Sequence, residues 1–493
     1  MQHIKSLEYQ SGLKHYSKTQ LASLIPNSNL KSKKIHFIGI GGIGMSALAR
    51  YYLSNGSDIS GSDKENSSLV SELISEGLTN IWTPHNKKNI ENINPDYVIY
   101  STAISSENEE LTWSKENKKT LLHRSDLLEI ATNEKKLIAI SGTHGKTTTS
   151  AMITELLANN DFNPTAILGG ILTSKNKNVI IGNSEYFIVE ADESDKSFLK
   201  GNPYLGVITN IEKDHLENYG GDFEEIKKSF LEFAKKALVN NGLIVCFQDK
   251  VTKELITNNF DLNNEKLITY GISTNPNKYV FCGKHNEEKN IWDIHYKGTY
   301  QFSLKLKIPG QHNLLNALAT IAIGYSLNIS TQKIKTSLEN YNGVKRRFQF
   351  IKTSKELTIV DDYAHHPTEI EATIKATKEL NPQRLLIVIQ PHQAQRLKDL
   401  WNDFKKVLSQ EEDNIFITDV YIARGTPIEG ISSKELVNEI SKPNVKHIPG
   451  SINQISSTLE KHLKYGDFIL IMGAGDITNL GPILANSYDR LAT

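Results

Sequence analysis

Residues 139–150 read AISGTHGKTTTS, and this stretch decides the fold prediction for the chain. Residues 137–140 are apolar and have the length of a short buried strand, whereas helical spacing of apolar residues begins at Thr147. A strand, a glycine turn and a helix in this order are typical of a loop that cradles phosphate, because helix N-terminal amides attract anions. We therefore predict an α/β fold with a nucleotide-binding loop at residues 142–148.

Each residue type in this loop suits contact with ATP. Gly142 and Gly145 let the backbone approach a polyphosphate closely, and Lys146 can reach its terminal oxygens. The Thr147 hydroxyl is placed to bind Mg²⁺. The strict pattern has glycine where Ile140 stands, so a glycine turn that only joins strand to helix remains an alternative. The predicted ATP-binding residues of the loop are Gly142, Thr143, His144, Gly145, Lys146, Thr147 and Thr148.

Composition excludes several classes of protein. Lys plus Arg and Asp plus Glu both number 56, so the balanced charge offers no basic surface for nucleic acid or an anionic membrane. The two cysteines, Cys246 and Cys282, are too few for a disulfide framework and indicate a reducing compartment. The first thirty residues lack the apolar core of a signal peptide, and no apolar run is long enough to span a membrane. We expect a cytoplasmic protein that neither binds nucleic acid nor inserts into a membrane.

The length of 493 residues suits about three domains, and the first follows a polar extension, residues 1–33, that we expect to be mobile. Residues 35–38 form a predicted strand that runs into GIGGIGMS, residues 39–46, a second glycine turn before a helix. About twenty residues on, Asp63 ends another short strand, where a carboxylate often holds a ribose. A tight turn without a ligand remains the alternative.

The middle of the chain alternates strands with helices, and acidic residues follow two of its strands. Glu190, Asp192 and Glu193 come after one apolar strand, and Asp214 and His215 follow the next. Because parallel strands deliver functional residues at their carboxyl ends, these side chains are candidate Mg²⁺ ligands. Oxygen donors suit Mg²⁺ best, so His215 is the weaker candidate on chemistry alone, and a solvated acidic loop is the alternative.

Further along, residues 252–290 are polar and are predicted as loops and short strands. Asn313 and Asn316 stand about one turn apart at the start of a predicted helix, so both face the same side and can hydrogen-bond a nucleotide. Capping of that helix is the alternative. Residues 341–347 are predicted as a linker whose arginines can reach a γ-phosphate or simply face solvent.

The last section repeats the pattern of apolar strands followed by polar residues. Asp362, Tyr363 and His365 follow one predicted strand, Arg396 follows another, and GAGD at residues 473–476 follows a third. This pattern predicts a further α/β unit in which two strand ends meet over one site. For GAGD, a tight turn without a ligand is at least as good an interpretation.

Beyond the first thirty residues, the motifs resemble those of the Mur ligases, in that family's order. They are HFIGIGGIGMS, GTHGKTTT, EADESD, TNIEKDH, GQHNLLNALA, the Arg346-Arg347 pair, DDYAHHP and GAGDI. After the extension, the resemblance implies three α/β domains. They are a Rossmann-like domain for a UDP-sugar at 34–134, a central P-loop ATPase-like domain at 135–345, and a C-terminal Rossmann-like domain at 346–493 that receives an amino acid.

The resemblance also implies a reaction. ATP, with Mg²⁺, phosphorylates the lactyl carboxylate of UDP-N-acetylmuramate, and the amine of L-alanine attacks the resulting acyl phosphate. The products are an amide, ADP and phosphate, and the amide is a precursor of peptidoglycan. The implied partners are therefore UDP-N-acetylmuramate, L-alanine and ATP, and the chain is expected to act as a monomer or a homodimer.

The resemblance assigns roles to individual residues. The implied catalytic set is Lys146, Glu190, His215, Arg347 and Asp362, and the implied Mg²⁺ ligands are Thr147, Glu190 and His215. Asn313, Asn316 and Arg347 join the loop residues around ATP. The UDP-sugar set is Gly41, Gly42, Gly44, Asp63, His85, Ser101 and Arg124, and the amino-acid set is Tyr363, His365 and Arg396.

One motif departs from the family pattern. The chain has QPHQAQR at residues 390–396, so that Gln393 replaces an arginine expected near the amino-acid carboxylate. A neutral amide cannot form the charge-assisted pair that a guanidinium makes, which leaves the affinity for the amino acid, or its choice, open. We hypothesise that Arg424, in a neighbouring loop, compensates.

Four other functions remain open. A sister ligase that attaches a tripeptide to the same sugar nucleotide is disfavoured by GIGGIGMS. Amide ligases of the folylpolyglutamate or cyanophycin type lack the N-terminal UDP-sugar domain. A dehydrogenase is disfavoured by the second phosphate loop, and a non-catalytic nucleotide-binding module by intact Lys146, Glu190 and His215.

Overall fold

The computed structural model describes residues 16–26, 29–193, 196–354, 356–423 and 426–491. Within these ranges the strands form three sheets, and helices alternate with the strands along the chain. Contacts divide the chain into two compact units. The first two sheets lie in the unit drawn from Met1–Ile171, Lys175–Lys305 and Leu315–Asn340, and the third lies in the unit drawn from Leu172–Ser174, Leu306–Leu314 and Tyr341–Thr493. The predicted α/β fold is confirmed.

The first sheet is parallel and has the order β3-β2-β1-β4-β5. β2 and β3 lie on one side of β1, and β4 and β5 lie on the other, so the strand order reverses direction at β1. In open α/β sheets, ligands bind at such a point of reversal. The strands are β1 (Lys34–Ile38), β2 (Asp58–Ser62), β3 (Ile81–Trp82), β4 (Tyr97–Tyr100) and β5 (Thr120–His123). The helices are α1 (Lys18–Leu24), α2 (Ile43–Ser54), α3 (Ser68–Ser75), α4 (Lys87–Ile93), α5 (Glu109–Glu116) and α6 (Arg124–Thr132).

The second sheet has the order β15-β14-β13-β12-β11-β10-β6-β9-β7-β8. β6 is parallel to both of its neighbours, so the loop that follows it lies at the carboxyl ends of three adjacent strands. The strands are β6 (Lys136–Ser141), β7 (Thr165–Leu172), β8 (Lys177–Ile180), β9 (Tyr186–Glu190), β10 (Leu205–Ile208), β11 (Gly242–Cys246), β12 (Leu267–Ile272), β13 (Phe281–Asn286), β14 (Ile291–Tyr296) and β15 (Thr299–Leu304). The helices are α7 (Lys146–Ala158), α8 (Phe223–Asn240), α9 (Lys250–Asn259), α10 (Gln311–Ser326) and α11 (Thr331–Asn340).

The third sheet has the order β16-β17-β21-β18-β19-β20, with β16 antiparallel to β17. β21 lies between β17 and β18 and is parallel to both, so the ends of these three strands lie together. The strands are β16 (Gln349–Thr353), β17 (Leu357–Asp362), β18 (Arg384–Ile389), β19 (Asn414–Ile417), β20 (Val445–His447) and β21 (Asp467–Met472). The helices are α12 (Pro367–Lys378), α13 (Ala394–Asp399), α14 (Trp401–Gln410), α15 (Ser433–Ile440), α16 (Ile452–Glu460) and α17 (Leu480–Leu491).

The segment before the first sheet differs in part from the expected mobile extension. Residues 1–15 lie outside the described residues. α1 begins with a capping box between Ser17 and Gln20, in which side chain and backbone satisfy each other. Leu21, Ile25 and Leu30 are buried in the core of the first unit, so this part of the segment is not a free extension.

No helix among the described residues combines the length and the apolar character needed to cross a membrane.

Candidate active site

The predicted phosphate loop joins β6 to α7, which begins directly after Gly145. Gly142 has φ +134°, and a Cβ placed on it would lie 2.0 Å from the Thr209 hydroxyl. Gly145 has φ +83°, and its Cβ would lie 2.6 Å from Asn316 Oδ1. Both positions combine a left-handed backbone with a close neighbour, so glycine alone fits them without strain.

The end of β10 holds the backbone of the loop in place. The Thr143 N–H donates to the Asn210 carbonyl at 3.1 Å, and the His144 N–H donates to the Asn210 side-chain oxygen at 2.8 Å. The Thr209 hydroxyl and the Asn210 amide donate in return to the His144 carbonyl, at 2.6 and 3.0 Å. The first N–H groups of a helix have no acceptor within it, so this fixed loop leaves the first N–H groups of α7 as the donors for an anion.

Lys146 is the first residue of α7, and acceptors surround its ammonium group. Nζ donates to the Gly142 carbonyl at 2.5 Å and to Glu193 Oε1 at 2.8 Å. Burial alone would lower the pKa of Lys146, but the carboxylates of Glu193, Asp192 and Glu190 outweigh burial and raise that pKa. Lys146 is therefore a fixed positive charge beside the loop.

Glu190 ends β9 and lies against the first turns of α7. Its Oε2 accepts a hydrogen bond from Thr147 Oγ1 at 3.0 Å, and its Oε1 accepts from Ser150 Oγ at 3.2 Å and from the Gly169 N–H at 2.6 Å. The structure thus brings together two of the three predicted metal ligands. A hydroxyl and a carboxylate are oxygen donors of the kind that Mg²⁺ prefers, so this pair fits that ion.

His215 follows β10 and precedes a short 3₁₀ helix, Leu216–Tyr219. Its backbone has φ +54°, and its Nε2 lies 3.5 Å from Asp214 Oδ2. The assignment of His215 as the third metal ligand stays a prediction.

The two predicted amides of α10 have different neighbours. Asn316 Oδ1 accepts a hydrogen bond from Thr149 Oγ1 at 3.1 Å, which places this amide beside α7. Asn313 Nδ2 donates to the carbonyl of Pro309, four residues earlier, at 2.7 Å, which is a local bond from a side chain back to the backbone. Thr148, the third residue of α7, is buried.

The glycine turn after β1 and the acidic residue after β2 lie together. Asp63 Oδ2 accepts the Gly41 N–H at 2.7 Å, and a Cβ on Gly41 would lie 2.9 Å from the same oxygen. Gly42 is the N-cap residue of α2, with no side chain to satisfy the first amides of that helix. Asp63 therefore braces the turn, and its predicted contact with a ribose stays a prediction.

The other residues predicted for the UDP-sugar also follow strands of the first sheet. His85 lies after β3, Ser101 directly after β4, and Arg124 directly after β5. Arg124 Nη2 pairs with Asp192 Oδ2 at 3.1 Å, and Arg124 Nη1 would lie 3.6 Å from a Cβ on Gly44. Arg124 thus connects the glycine turn of the first sheet with the acidic motif of the second.

In the second unit, two guanidinium groups lie close to the ring of Tyr363. The Arg346 and Arg347 guanidinium carbons are 4.9 and 5.0 Å from its ring centre. His365 Nδ1 donates to the Tyr363 carbonyl at 2.9 Å, because a carbonyl can only accept. Burial, the largest influence, lowers the pKa of His365 to about 4, so its ring is neutral at pH 7.

Sequence reasoning missed two further residues of this cluster, His392 and Tyr421. The His392 ring centre lies 5.6 Å from that of His365 and 5.8 Å from that of Tyr421. Arg396 Nη1 lies 3.4 Å from His392 Nδ1, so His392 connects the predicted residues Arg396 and His365. The available signal is the position of His392 in a QPH motif, three residues after the end of β18.

Asp362 ends β17 and is buried. Its two oxygens accept the N–H groups of Phe348 at 2.6 Å and Ala364 at 2.7 Å. Burial, the largest influence, raises its pKa to about 6 despite the nearby Arg347 guanidinium. Arg347 Nη1 in turn lies 3.9 Å from Glu369 Oε1. Asp362 thus holds the backbone on both sides, and its catalytic role stays a prediction.

Two motifs of the last section have local explanations. Arg346 Nη2 donates to the carbonyls of Gly473 at 2.6 Å and Gly475 at 3.0 Å, so the GAGD turn binds an arginine of the same unit. Gln393 has φ +66°, and its N–H donates to the Tyr421 carbonyl at 2.8 Å. Arg424 lies outside the described residues, so the hypothesis that it compensates for Gln393 stays a prediction.

The fold and the loop after β6 place the chain among nucleotide-binding α/β enzymes. Three family models match successive parts of it. They are "Mur ligase family, catalytic domain" at residues 34–136, "Mur ligase middle domain" at 140–324, and "Mur ligase, glutamate ligase domain" at 346–475. The chain belongs to the Mur ligase family.

Relatives and solved structures agree with this result. Proteins named UDP-N-acetylmuramate–L-alanine ligase from Carboxydothermus hydrogenoformans and Clostridium tetani are each 40% identical to 92% of this chain, and the alignments cover 96% and 97% of those proteins. A crystal structure of UDP-N-acetylmuramate-alanine ligase from Thermotoga maritima has a TM-score of 0.77 and 29% identity, covering 93% of this chain and 99% of that one. A murein peptide ligase from Psychrobacter arcticus shares the fold, with a TM-score of 0.68 and 21% identity over 92% of this chain and 98% of that one.

Proposed function

We propose that this chain is an ATP-dependent ligase that joins L-alanine to the lactyl carboxylate of UDP-N-acetylmuramate. The observation that carries the proposal is the fixed loop with Lys146 at the start of α7 and the Thr147–Glu190 pair beside it. The relatives named above, which align over most of this chain, support the choice of substrates. The reaction makes a peptidoglycan precursor, and we place it in the cytoplasm.

The reaction proceeds in two steps. The carboxylate oxygen attacks the γ-phosphorus of ATP, the bond to the bridging oxygen breaks, and ADP leaves. The amine of L-alanine then attacks the carbonyl carbon of the acyl phosphate, and the tetrahedral intermediate expels phosphate and loses a proton to form the amide. Phosphoryl transfer of this kind needs charge stabilisation and alignment more than a protein nucleophile. Lys146 and the first N–H groups of α7 would supply that stabilisation.

Mg²⁺ would be held by Thr147 and Glu190, with His215 as the proposed third ligand. The Thr147 hydroxyl and the Glu190 carboxylate, whose oxygens are 3.0 Å apart, are donors of the kind that Mg²⁺ prefers, which supports the proposal. When bound, the ion neutralises the charge of the ATP phosphates. The chain's own contribution is to hold both oxygens beside the loop.

The remaining residues are proposed to bind the other substrates. The residues after β1 to β5, including Asp63, His85 and Arg124, would bind the UDP-sugar. Tyr363, His365 and Arg396 would bind L-alanine, where a guanidinium can pair with its carboxylate. We propose Arg347 and Asp362 as catalytic residues because their motifs resemble those of the Mur ligases.

Phosphate release tests the proposal. The purified chain is incubated with ATP, Mg²⁺ and UDP-N-acetylmuramate, together with L-alanine, glycine, L-serine, a muropeptide-type tripeptide or no amino acid, and each product is weighed by mass spectrometry. We expect fast turnover with L-alanine only. Preference for the tripeptide would mean that the amino-acid site, which includes Gln393, selects a tripeptide instead of L-alanine. Absence of turnover that depends on the UDP-sugar would refute the ligase function.

A further inference from the structure

A polar network lies inside the first sheet, and none of the roles discussed above uses it. His36 of β1 and Glu110 of α5 are fully buried, and Ser60 and Ser62 of β2 are buried beside them. Ile38, Ile90, Val98 and Leu111 form part of the apolar cluster on this side of the sheet. Buried charges are rare in such surroundings unless they are paired, so the network calls for an explanation.

Each of the two carboxylate oxygens of Glu110 accepts two hydrogen bonds. Oε2 accepts from His36 Nε2 at 3.2 Å and from Ser62 Oγ at 2.5 Å. Oε1 accepts from the Asn86 N–H and from Asn89 Nδ2, both at 3.0 Å. Burial alone would raise the pKa of Glu110, but the hydrogen bond and charge of His36, with the bonds from Ser62 and Asn86, lower it. Glu110 is therefore ionised, and it can only accept.

The ionised state of Glu110 determines the direction of the hydrogen bond between Ser62 and His85. Ser62 Oγ also lies 2.8 Å from His85 Nδ1. A hydroxyl has one hydrogen, and Ser62 donates it to the Glu110 carboxylate, so its oxygen must accept from His85. Nδ1 of His85 therefore carries the hydrogen, and the neutral ring has an unprotonated Nε2.

His85 lies where a ligand of this sheet would bind. It follows β3 at the carboxyl edge, the edge that also carries the glycine turn and Asp63, and its side chain is 20% exposed. Within the described part of the chain, His85 contacts Ser62 and Glu110 through Nδ1. Nε2 is the nitrogen left for a ligand.

We propose that Glu110 and Ser62 are positioning residues that hold His85 in this tautomer, so that Nε2 accepts a hydrogen bond from a hydroxyl or N–H group of the sugar nucleotide. This inference rests on the proposed function for the identity of the ligand. The hydrogen bonds within the network are a property of the free protein and do not depend on it.

The chain offers a matched pair of variants. Ser62→Ala removes the hydroxyl that contacts His85. Ser60→Ala removes a hydroxyl two residues earlier, on the same face of β2, that contacts His36 Nδ1 at 3.0 Å and not His85. The KM for UDP-N-acetylmuramate should rise about tenfold in Ser62→Ala, as expected for one lost hydrogen bond, with the KM for ATP unchanged. Ser60→Ala should leave both values unchanged.

The tautomer is measured directly by imidazole ¹⁵N NMR on histidine-labelled protein, at a pH where the ring is neutral, with His85→Gln to identify the signal. We expect a protonated Nδ1 in the unaltered chain, although free imidazole side chains favour a protonated Nε2, and a shift toward Nε2 protonation in Ser62→Ala. A protonated Nε2 in the unaltered chain, or equal effects of the two serine variants, would overturn the proposal. The NMR result on the unaltered chain stands even if Ser62→Ala fails to fold. If the unaltered chain does not turn over UDP-N-acetylmuramate, the proposed function fails, and the measured tautomer of His85 still decides the present proposal.

Discussion

Lys146 Nζ and Glu193 Oε1 lie 2.8 Å apart, and the Glu193 side chain is only 7% exposed. The ammonium also bonds to the carbonyls of Gly142 and Thr143, so three acceptors hold it beside the loop. The Lys146 ammonium can therefore pair with a phosphate without changing its position. The same arrangement requires the Glu193 carboxylate to stay buried beside it.

The pair makes Glu193 important for stability as well as for the site. Removing one partner of a buried pair leaves the other charge less well compensated, which costs about 3 kcal/mol of unfolding free energy. We expect Glu193→Gln and Lys146→Met each to lower the Tm by several degrees, and the double variant to lower it by less than the sum. Thermal melting of the three variants measures this, with Lys136→Met at the exposed Lys136–Glu185 pair as the control, expected to leave the Tm nearly unchanged. Additive effects would mean that the two side chains do not interact.

Gly142 should tolerate no side chain. Gly142→Ala would place a Cβ 2.0 Å from the Thr209 hydroxyl, in addition to the strain of its positive φ. Gly77 also has a positive φ, +99°, but a Cβ there meets nothing within 4 Å, so Gly77→Ala carries the strain alone. We expect ATP turnover to fall at least a hundredfold in Gly142→Ala, because the loop donors move, and to stay within about twofold in Gly77→Ala. Similar losses in both variants would refute the role of the close contact.

Arg396 should matter for the amino acid and not for ATP. A charge-assisted hydrogen bond contributes about 1.5–3 kcal/mol, so Arg396→Ala should raise the KM for L-alanine about 10- to 100-fold with the KM for ATP unchanged. Lys398, another basic residue of α13, provides the matched control. Steady-state kinetics on Arg396→Ala and Lys398→Ala decide the point. Equal changes in the two KM values, or an equal effect of Lys398→Ala, would contradict it.

His365 should make the chain less stable in acid. Its pKa is lowered from 6.5 to about 4 by burial, so the unfolded chain binds the proton more tightly than the folded one. The stabilisation is present above pH 6.5 and is lost as the pH falls toward 4, and its size is on the order of 3 kcal/mol. His365→Gln should therefore show a weaker fall of Tm between pH 6.5 and 4 than the unaltered chain. Parallel curves for the two proteins would exclude this cause.

The features that the sequence made predictable are local in the chain. The loop after β6 is recognisable because its glycines, lysine and threonine are consecutive and stand between a strand and a helix. The same holds for the turn after β1 and for the residues that follow β17. Each of these signals depends on the geometry of one strand end.

The features that sequence reasoning missed depend on contacts distant in the chain. Nothing in the polar stretch around Glu110 distinguishes it from the neighbouring Glu109, and its hydrogen-bond partner His36 is 74 residues away. The Lys146–Glu193 bond likewise joins two predicted motifs across 47 residues. The polarity of residues 252–290 predicts loops and short strands, yet these residues contain most of α9, in which Ile256 is buried. Val251, Leu255 and Ile256 carry the helical spacing that this prediction overlooked.

Transfer of oxygen from the sugar carboxylate to phosphate tests the central claim most directly. UDP-N-acetylmuramate labelled with ¹⁸O in both lactyl carboxylate oxygens is incubated with the chain, ATP, Mg²⁺ and L-alanine, and the released phosphate is weighed by mass spectrometry. If an acyl phosphate forms, its bridging oxygen comes from the carboxylate and leaves with phosphate, so each phosphate should carry one ¹⁸O. Unlabelled phosphate in a reaction that forms the amide would contradict the acyl-phosphate mechanism, and absence of amide formation would contradict the ligase itself.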